Sequence, residues 1–217
     1  MTQTTPQPAQ PSAQRVSSRQ KRIDEQRRKI EAVRIQNRRR RMMWGAMIIV
    51  VVAIAVALVL FFLPRPVSSS MRQVVAEPAT HVDEGAPVTY HNRPPSSGMH
   101  WGTVPQAAEY RMYDQPLSPG RWVHMLEHGA VAVLYRPDLC DATCVGQLGT
   151  FYDSAPRSTL VPGVRHLVIT PYQDMDHAVA VVAWGYVDEL DQMDGDRVMA
   201  DFKSKVDAPT APERGAL

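Results

Sequence analysis

The chain has 217 residues, and its formal net charge of +2 conceals two regions of opposite sign. Residues 1–41 contain twelve Lys/Arg and three acidic residues, a net of +9, whereas residues 66–217 contain eleven Lys/Arg and nineteen acidic residues, a net of −8. This asymmetry excludes a single uniformly charged domain, so the two regions are interpreted separately.

The basic N-terminal tail, 1–41, divides by composition into two parts. Its first part, 1–16, is rich in Gln, Pro, Thr and Ser and lacks apolar periodicity, so we expect disorder there. The remainder contains no Gly or Pro and is dense in charge, which favours a helix. No aromatic side chains interleave the charges of the Lys/Arg-rich segment 15–41, so we expect it to contact anionic membrane lipids and no nucleic acid.

An apolar segment of 22 residues, 42–63, carries no charge and follows four consecutive arginines at 38–41. At ~1.5 Å per residue a helix of this length spans roughly 33 Å, enough to cross a bilayer core of ~30 Å. The segment is longer than the apolar part of a signal peptide and lacks the polar face of a core helix. We therefore predict a single-pass protein of the cytoplasmic (inner) membrane, with the N-terminus in the cytoplasm and the C-terminal domain outside.

The chain beyond the apolar segment is predicted to contain a linker, 64–80, and one extracytoplasmic domain, 81–217. The first part of this domain, 81–128, has many Pro and Gly residues and little periodicity, which predicts long irregular loops. Loops held on a rigid core often carry the functional residues of a domain.

Short apolar stretches in the second part of the domain predict its core. Three are rich in β-branched residues, which favours strands, and two other segments have helical spacing. The predicted order is strand 130–135, helix 144–154, strand 164–169, strand 178–184 and a final helix capped by Asp194. We expect the second and third strands to pair antiparallel, and the fold class to be α+β, a β-α-β-β-α core in a small mixed sheet.

Cys140 and Cys144 are the two cysteines of the chain, and both follow the apolar segment. Thiols outside the cytoplasmic membrane generally oxidise, so a disulfide between them is expected. A C-x-x-x-C pair can also present two sulfurs to a metal ion, and this alternative stays open at the level of sequence.

The seven histidines all follow the apolar segment, and two local patterns contain candidate metal ligands. In the first, His91 and His100 flank a proline-stiffened turn. In the second, His124 and His128 are four residues apart, with Glu127 beside them. A turn of helix would bring both imidazoles to one ion, whereas a strand would hold them roughly 13 Å apart. We predict that His100, His124 and His128 converge, with His91 and Glu127 as further ligands or supporting groups.

This histidine-rich region allows three functional interpretations. Imidazoles near methionines on an oxidising side of the membrane favour copper or zinc over a hard cation. The same side chains can instead brace loops in a metal-free envelope scaffold or partner-binding module. The H-x-x-E-H pattern at 124–128 also occurs in zinc proteases, but a long helix carries it there, whereas Gly129 and an apolar stretch follow it here. A membrane-anchored metallohydrolase is therefore the third and less favoured interpretation.

Four motifs of the outer domain occur together in one bacterial family. They are RPPSSGMHW at 93–101, VHMLEHGAV at 123–131, AWG at 183–185 and APE at 211–213. In these motifs, over roughly 81–213, the chain resembles the domain of unknown function 3105 family. The resemblance implies a similar single-pass membrane protein with an outer domain, and it implies no particular reaction, substrate or partner.

Overall fold

The computed structural model describes residues 13–62 and 67–216. The chain divides into two compact units, Met1–Arg65 and Pro66–Leu217. The first unit contains one long helix, and the second contains the described strands, three shorter α-helices and one short 3-10 helix.

The helix of the first unit, α1, extends from Ala13 to Phe62. Its segment Asp24–Phe62 is long and apolar enough to cross a membrane, and the large apolar side chains of this segment are exposed. The segment predicted to be helical therefore continues without a break into the apolar segment. Of the segment predicted to be disordered, residues 13–16 lie in α1 and residues 1–12 lie outside the described residues.

The second unit is an α+β domain, which confirms the predicted fold class. Its strands are β1 (Arg72–Gln73), β2 (Thr80–Val82), β3 (Met99–Trp101), β4 (Val131–Tyr135), β5 (Leu167–Pro171), β6 (Val179–Ala183) and β7 (Tyr186–Leu190). Its helices are α2 (Pro119–Glu127), a short 3-10 helix (Ala107–Glu109), α3 (Ala142–Ser154) and α4 (Gly195–Lys205). The predicted β-α-β-β-α core is present, with β7 as an additional strand before α4.

The main sheet is mixed and has five strands in the order β1-β7-β6-β4-β5. The central strand, β4, pairs parallel with β5 through the α3 crossover and antiparallel with β6. The expected antiparallel pair between the second and third predicted strands is therefore wrong, because β5 and β6 lie on opposite sides of β4. As an apolar strand buried on both faces, β4 satisfies its backbone groups best with a neighbour on each edge.

Of the main sheet, β1 and β7 were not predicted from the sequence, and β7 pairs antiparallel with β6 around a tight turn. Gly185 in this turn has a φ of +71°, a conformation that favours glycine. Two acidic residues, Asp188 and Glu189, interrupt the apolar pattern of β7. The Asp188 carboxylate is buried and accepts two hydrogen bonds from Arg197, at 2.7 and 2.5 Å, which satisfies its charge inside the domain.

Side chains of the sheet alternate between two hydrophobic clusters, one on each face. Leu134 of β4 packs in the same cluster as Trp122 of α2. Val133 of β4 packs in the other, where Phe151 of α3 and Phe202 of α4 meet edge to face, with ring centroids 6.0 Å apart. Because both faces are covered, the strands appear as continuous apolar stretches, and α2 is held against the sheet.

The segment predicted as a linker, 64–80, includes residues that belong to the domain. β1 pairs antiparallel with β7 at the edge of the main sheet. Just before it, the Ser69 hydroxyl and the Ser70 backbone N–H each donate to Asp201 Oδ1 at 2.8 Å. Part of the segment predicted as a linker therefore contacts the predicted domain, 81–217, through β7 and α4.

Cys140 and Cys144 form a disulfide at the start of α3, with their Cα atoms 5.2 Å apart. The Asp141 side chain caps the same helix by accepting a hydrogen bond of 2.9 Å from the Cys144 backbone N–H. The disulfide and the cap act on one turn of the chain, so the two sulfurs stabilise a helix start and are not free to bind an ion.

Candidate metal centre

The small parallel sheet of β2 and β3 brings together two histidines that are distant in sequence. His81 is paired with His100 in its register, and their ring centroids lie 4.6 Å apart with the ring planes perpendicular. β3 packs closely on α2, because a Cβ atom added at Gly120 would lie only 2.9 Å from the Trp101 ring. The absence of a side chain at Gly120 thus allows the approach of the two elements that carry the site.

α2 carries His124 and Glu127 into the same region. The helix has Pro119 in its first turn, where the fixed φ of proline is compatible with a helix start. It ends at Glu127, and Gly129, with a φ of +97°, turns the chain into β4. The backbone N–H of His128 donates to His124 O at 3.3 Å, so the two histidines lie one helical turn apart, as the metal hypothesis requires.

Three imidazoles and one carboxylate converge at this place: His81, His100, His124 and Glu127 each offer a ligand atom within 4.8 Å of the others. Glu127 Oε2 lies 2.9 Å from His100 Nε2, 3.3 Å from His81 Nε2 and 3.9 Å from His124 Nε2. Neighbouring ligand atoms on a tetrahedral ion with ~2.1 Å bonds lie roughly 3.4 Å apart, within the span of these distances. The arrangement therefore has the dimensions of a four-coordinate metal site.

The orientation of the His100 ring fixes which nitrogen faces Glu127. Its Nδ1 lies 2.8 Å from the carbonyl oxygen of Gly98. A carbonyl only accepts, so Nδ1 carries a proton and, in the neutral ring, Nε2 presents a lone pair. His100 Nε2 and Glu127 Oε2 are both buried and without a well-directed hydrogen bond. Two buried acceptors 2.9 Å apart require a cation or a second proton between them.

The electrostatic surroundings favour the protonation states that bind metal. Burial lowers the pKa of His124 to about 4, and the nearby His128 and His100 add to this effect, so the imidazole is neutral at pH 7. Burial by itself raises the pKa of Glu127, but the contacts with the neighbouring imidazoles, His100 first, outweigh it, and the net shift is downward. A neutral imidazole and an ionised carboxylate are the ligand forms of these side chains.

The site opens to solvent on the side of His81. The His81 side chain is 49% exposed, whereas those of His100, His124 and Glu127 are between 0% and 3% exposed. An ion can therefore reach the buried ligands past a single half-exposed imidazole.

His128 faces a different neighbour. Its ring meets that of His124 edge to face with centroids 4.6 Å apart, but its Nε2 lies 3.6 Å from Glu213 Oε2. Glu127, His128 and Glu213 form a second group whose ligand atoms lie within 4.8 Å of one another. Of the three histidines predicted to converge, the structure thus brings His100 and His124 into one group and puts His128 in the adjacent group, which shares Glu127.

His91 lies outside both groups. Its side chain is 96% exposed, and its Nδ1 is 3.2 Å from Glu77 Oε2. The backbone N–H groups of His91 and Asn92 also donate to the Glu77 carboxylate, at 2.9 and 3.1 Å. These contacts give His91 a role in bracing the loop before β3.

His81 and Glu213 are the residues of the two groups that sequence reasoning missed. No spacing could have indicated His81, because it reaches the site through the register of two three-residue strands. Glu213 ends the APE motif at 211–213, which was a usable signal, but nothing in the motif indicates that this segment lies beside α2.

The fold and the site together define an α+β domain with a cluster of three histidines and one carboxylate, of which His81 is half-exposed and the other three are buried. One helix of the same chain is long and apolar enough to cross a membrane. This chain belongs to the family described as "Protein of unknown function (DUF3105)", whose model matches residues 81–217. No curated protein and no solved structure matches the chain.

Proposed function

We propose that this chain is a membrane-anchored protein whose extracytoplasmic domain binds copper or zinc through His81, His100, His124 and Glu127. The observation that carries the proposal is the buried contact of His100 Nε2 with Glu127 Oε2, which lie 2.9 Å apart without a well-directed hydrogen bond. A divalent cation between them and beside the other two imidazoles satisfies all of these lone pairs at once.

The donor set supports this choice of metals. Three imidazole nitrogens and one carboxylate oxygen suit Zn²⁺ and Cu²⁺, whereas a hard cation such as Ca²⁺ prefers oxygen ligands alone. Glu127 Oε2 lies within 4 Å of all three Nε2 atoms, which supports a role as a ligand. A metallohydrolase needs a carboxylate free to activate water, so the geometry favours binding over hydrolysis.

The proposed location rests on the first unit of the chain. α1 is long and apolar enough to cross a membrane, and the four arginines at 38–41 precede its apolar segment. By the positive-inside rule these arginines favour a cytoplasmic N-terminus and an outer C-terminal domain in the inner membrane. The Cys140–Cys144 disulfide fits an oxidising compartment. We also propose that the basic segment 15–41 contacts anionic lipid head groups on the inner side.

A metal-binding measurement with a matched pair of variants tests the proposal. The full chain, purified in detergent and stripped of metal, is titrated with Zn²⁺ and with Cu²⁺ in competition with a chromophoric chelator. His81→Ala should weaken binding of the first ion by about 100-fold or more, since it removes a ligand. His177→Ala is the control, because His177 is also a partly exposed histidine beside a carboxylate, 39% exposed and 2.8 Å from Asp191. It should bind like the wild type.

The metal-free interpretation predicts a different outcome. In that case the wild type binds neither ion stoichiometrically, or His81→Ala and His177→Ala behave alike. The contact of His100 with Glu127 would then be an imidazolium–carboxylate ion pair, and the domain would be an envelope scaffold or partner-binding module.

A further inference from the structure

The two groups of candidate ligands are adjacent and share one carboxylate. We infer that the domain binds two divalent transition-metal ions in a dinuclear centre, in which Glu127 bridges the ions and His128 and Glu213 bind the second. This inference rests on the proposed function, because the first ion occupies the site of His81, His100 and His124.

His128 has the properties of an unsatisfied ligand. It is 2% exposed, and its Nδ1 is buried without a hydrogen-bond partner among the described residues. Its Nε2 lies 3.6 Å from Glu213 Oε2, which is too long for a hydrogen bond. Two ligands of one ion with ~2.1 Å bonds lie roughly 3.4 Å apart, so the separation is suited to an ion between them.

The C-terminal segment holds Glu213 over α2 by backbone contacts. The Glu213 N–H donates to Glu127 O at 3.0 Å, and the Gly215 N–H donates to His128 O at 2.8 Å. The Asp207 N–H donates to Gly129 O at 2.9 Å. These bonds satisfy carbonyls at the end of α2, and they position Glu213 independently of its side chain. Replacing that side chain should therefore leave the segment in place.

The spacing of the two groups fits a bridged pair of ions. His124 and His128 lie one turn apart on α2 with ring centroids 4.6 Å apart, and Glu127 belongs to both groups. Protein sites with two metals hold the ions ~3.5–4 Å apart, a distance that one carboxylate can bridge with its two oxygens.

The second ion should be the weaker one. Its proposed protein ligands are Glu127, His128 and Glu213, one fewer than for the first ion, and the Glu213 side chain is 51% exposed. Two divalent ions also carry more charge than the two carboxylates neutralise, so the second site should keep coordination positions for water or an anion.

Zinc stoichiometry of the full chain in detergent tests the inference. The wild type should bind two Zn²⁺ ions, the second more weakly, and Glu213→Gln should bind one with the affinity of the first ion unchanged. Glu84→Gln, which alters an exposed acidic residue outside both groups, is the control and should bind two. His81→Ala separates this inference from the proposed function, because it weakens the first ion whether or not a second binds.

Each other outcome overturns the dinuclear centre. A wild type with one Zn²⁺ ion that Glu213→Gln does not alter would refute the second site and leave the proposed function intact. Two ions in both proteins with equal affinities would put the second ion elsewhere. No bound zinc in the wild type would refute both proposals.

An electron paramagnetic resonance measurement checks the bridge separately. Cu²⁺ should give the spectrum of an isolated ion at the first equivalent, and the second equivalent should reduce this signal by magnetic coupling through Glu127. In Glu213→Gln the isolated spectrum should persist. Two uncoupled Cu²⁺ signals in the wild type would show that Glu127 does not join the ions.

Discussion

Glu127 is the residue on which both proposed ions depend. It ends α2 and is 2% exposed, and its carboxylate faces histidines from two strands and its own helix. An ionised carboxylate taken out of water costs several kcal/mol unless positive charge compensates it. A metal supplies this charge while the imidazoles stay neutral, which matches the lowered pKa of His124.

Replacing Glu127 by glutamine should weaken both ions. Gln is of similar size, but it removes the charge and directs either a weaker acceptor or an N–H donor at the imidazole lone pairs. In the chelator competition we expect a loss of about 100-fold or more for the first ion and loss of the second, whereas Glu213→Gln affects the second alone. A first-ion affinity within about threefold of wild type, less than 1 kcal/mol, would contradict a ligand role for Glu127.

At this scale the sequence predicts the ligands that one helical turn or one motif brings together. His124 and Glu127 follow from the spacing on α2, and His100 follows from its place in the RPPSSGMHW motif. His81 could not be predicted, because its position depends on the pairing of β2 with β3. His91 has the same local signal as His100, yet Glu77 holds it at the surface, and only the folded loop shows this.

At the scale of the elements, hydrogen bonds hold short irregular segments against the main sheet and its helices. One such contact is at α4, where Ser69 and Ser70 bind Asp201 ahead of β1. Asp201 is fully buried, and its Oδ2 has no hydrogen-bond partner among the described residues. Burial, together with the neighbouring Asp188 carboxylate, raises the pKa of Asp201 to about 6.

This raised pKa gives the stability of the domain a defined pH dependence. The ordinary pKa of the carboxyl is 3.8, so between pH 3.8 and about 6 the folded state binds a proton that the unfolded state releases. Protonated Asp201 therefore adds to the free energy of unfolding below pH 3.8. This stabilisation is lost as the pH rises from 3.8 through about 6.

Asp201→Asn should remove this loss. The amide oxygen retains the bonds from Ser69 and Ser70, and the amide nitrogen can donate towards Asp188 without titrating. At pH 7 we expect the variant to be more stable by roughly 2 kcal/mol, and below pH 4 to be close to wild type. Denaturant unfolding of both proteins at several pH values, followed by tryptophan fluorescence, measures the difference. A difference that does not vary between pH 4 and 7 would contradict the raised pKa.

Elements that follow from local pattern were predicted, and those that depend on tertiary pairing were not. The order β4-α3-β5-β6-α4 follows from apolar stretches and helix caps such as Asp194. β7 was missed because an acidic residue such as Asp188 is expected at the surface. In the fold Asp188 is buried, and Arg197 compensates its charge with a hydrogen bond. The position of β4 between β5 and β6 depends on edge pairing, which composition does not encode.

At the scale of the whole molecule, the two units differ in charge and in the kind of site that they contain. The Lys/Arg-rich segment 15–41 and the apolar segment 42–63 belong to Met1–Arg65, and the candidate metal centre belongs to Pro66–Leu217. The family model matches residues 81–217 and so includes every residue of both ligand groups. The N-terminal unit has the composition of an anchor, and metal binding is proposed for the domain that it would hold at the membrane.

The most direct test of metal binding is anomalous X-ray diffraction at the zinc edge, on crystals of the full chain loaded with one equivalent of Zn²⁺. The account predicts an anomalous peak among His81, His100, His124 and Glu127, about 2.0–2.2 Å from the three nitrogens and the carboxylate. The contradicting result is the absence of a peak among these four side chains, with the contact of His100 with Glu127 intact.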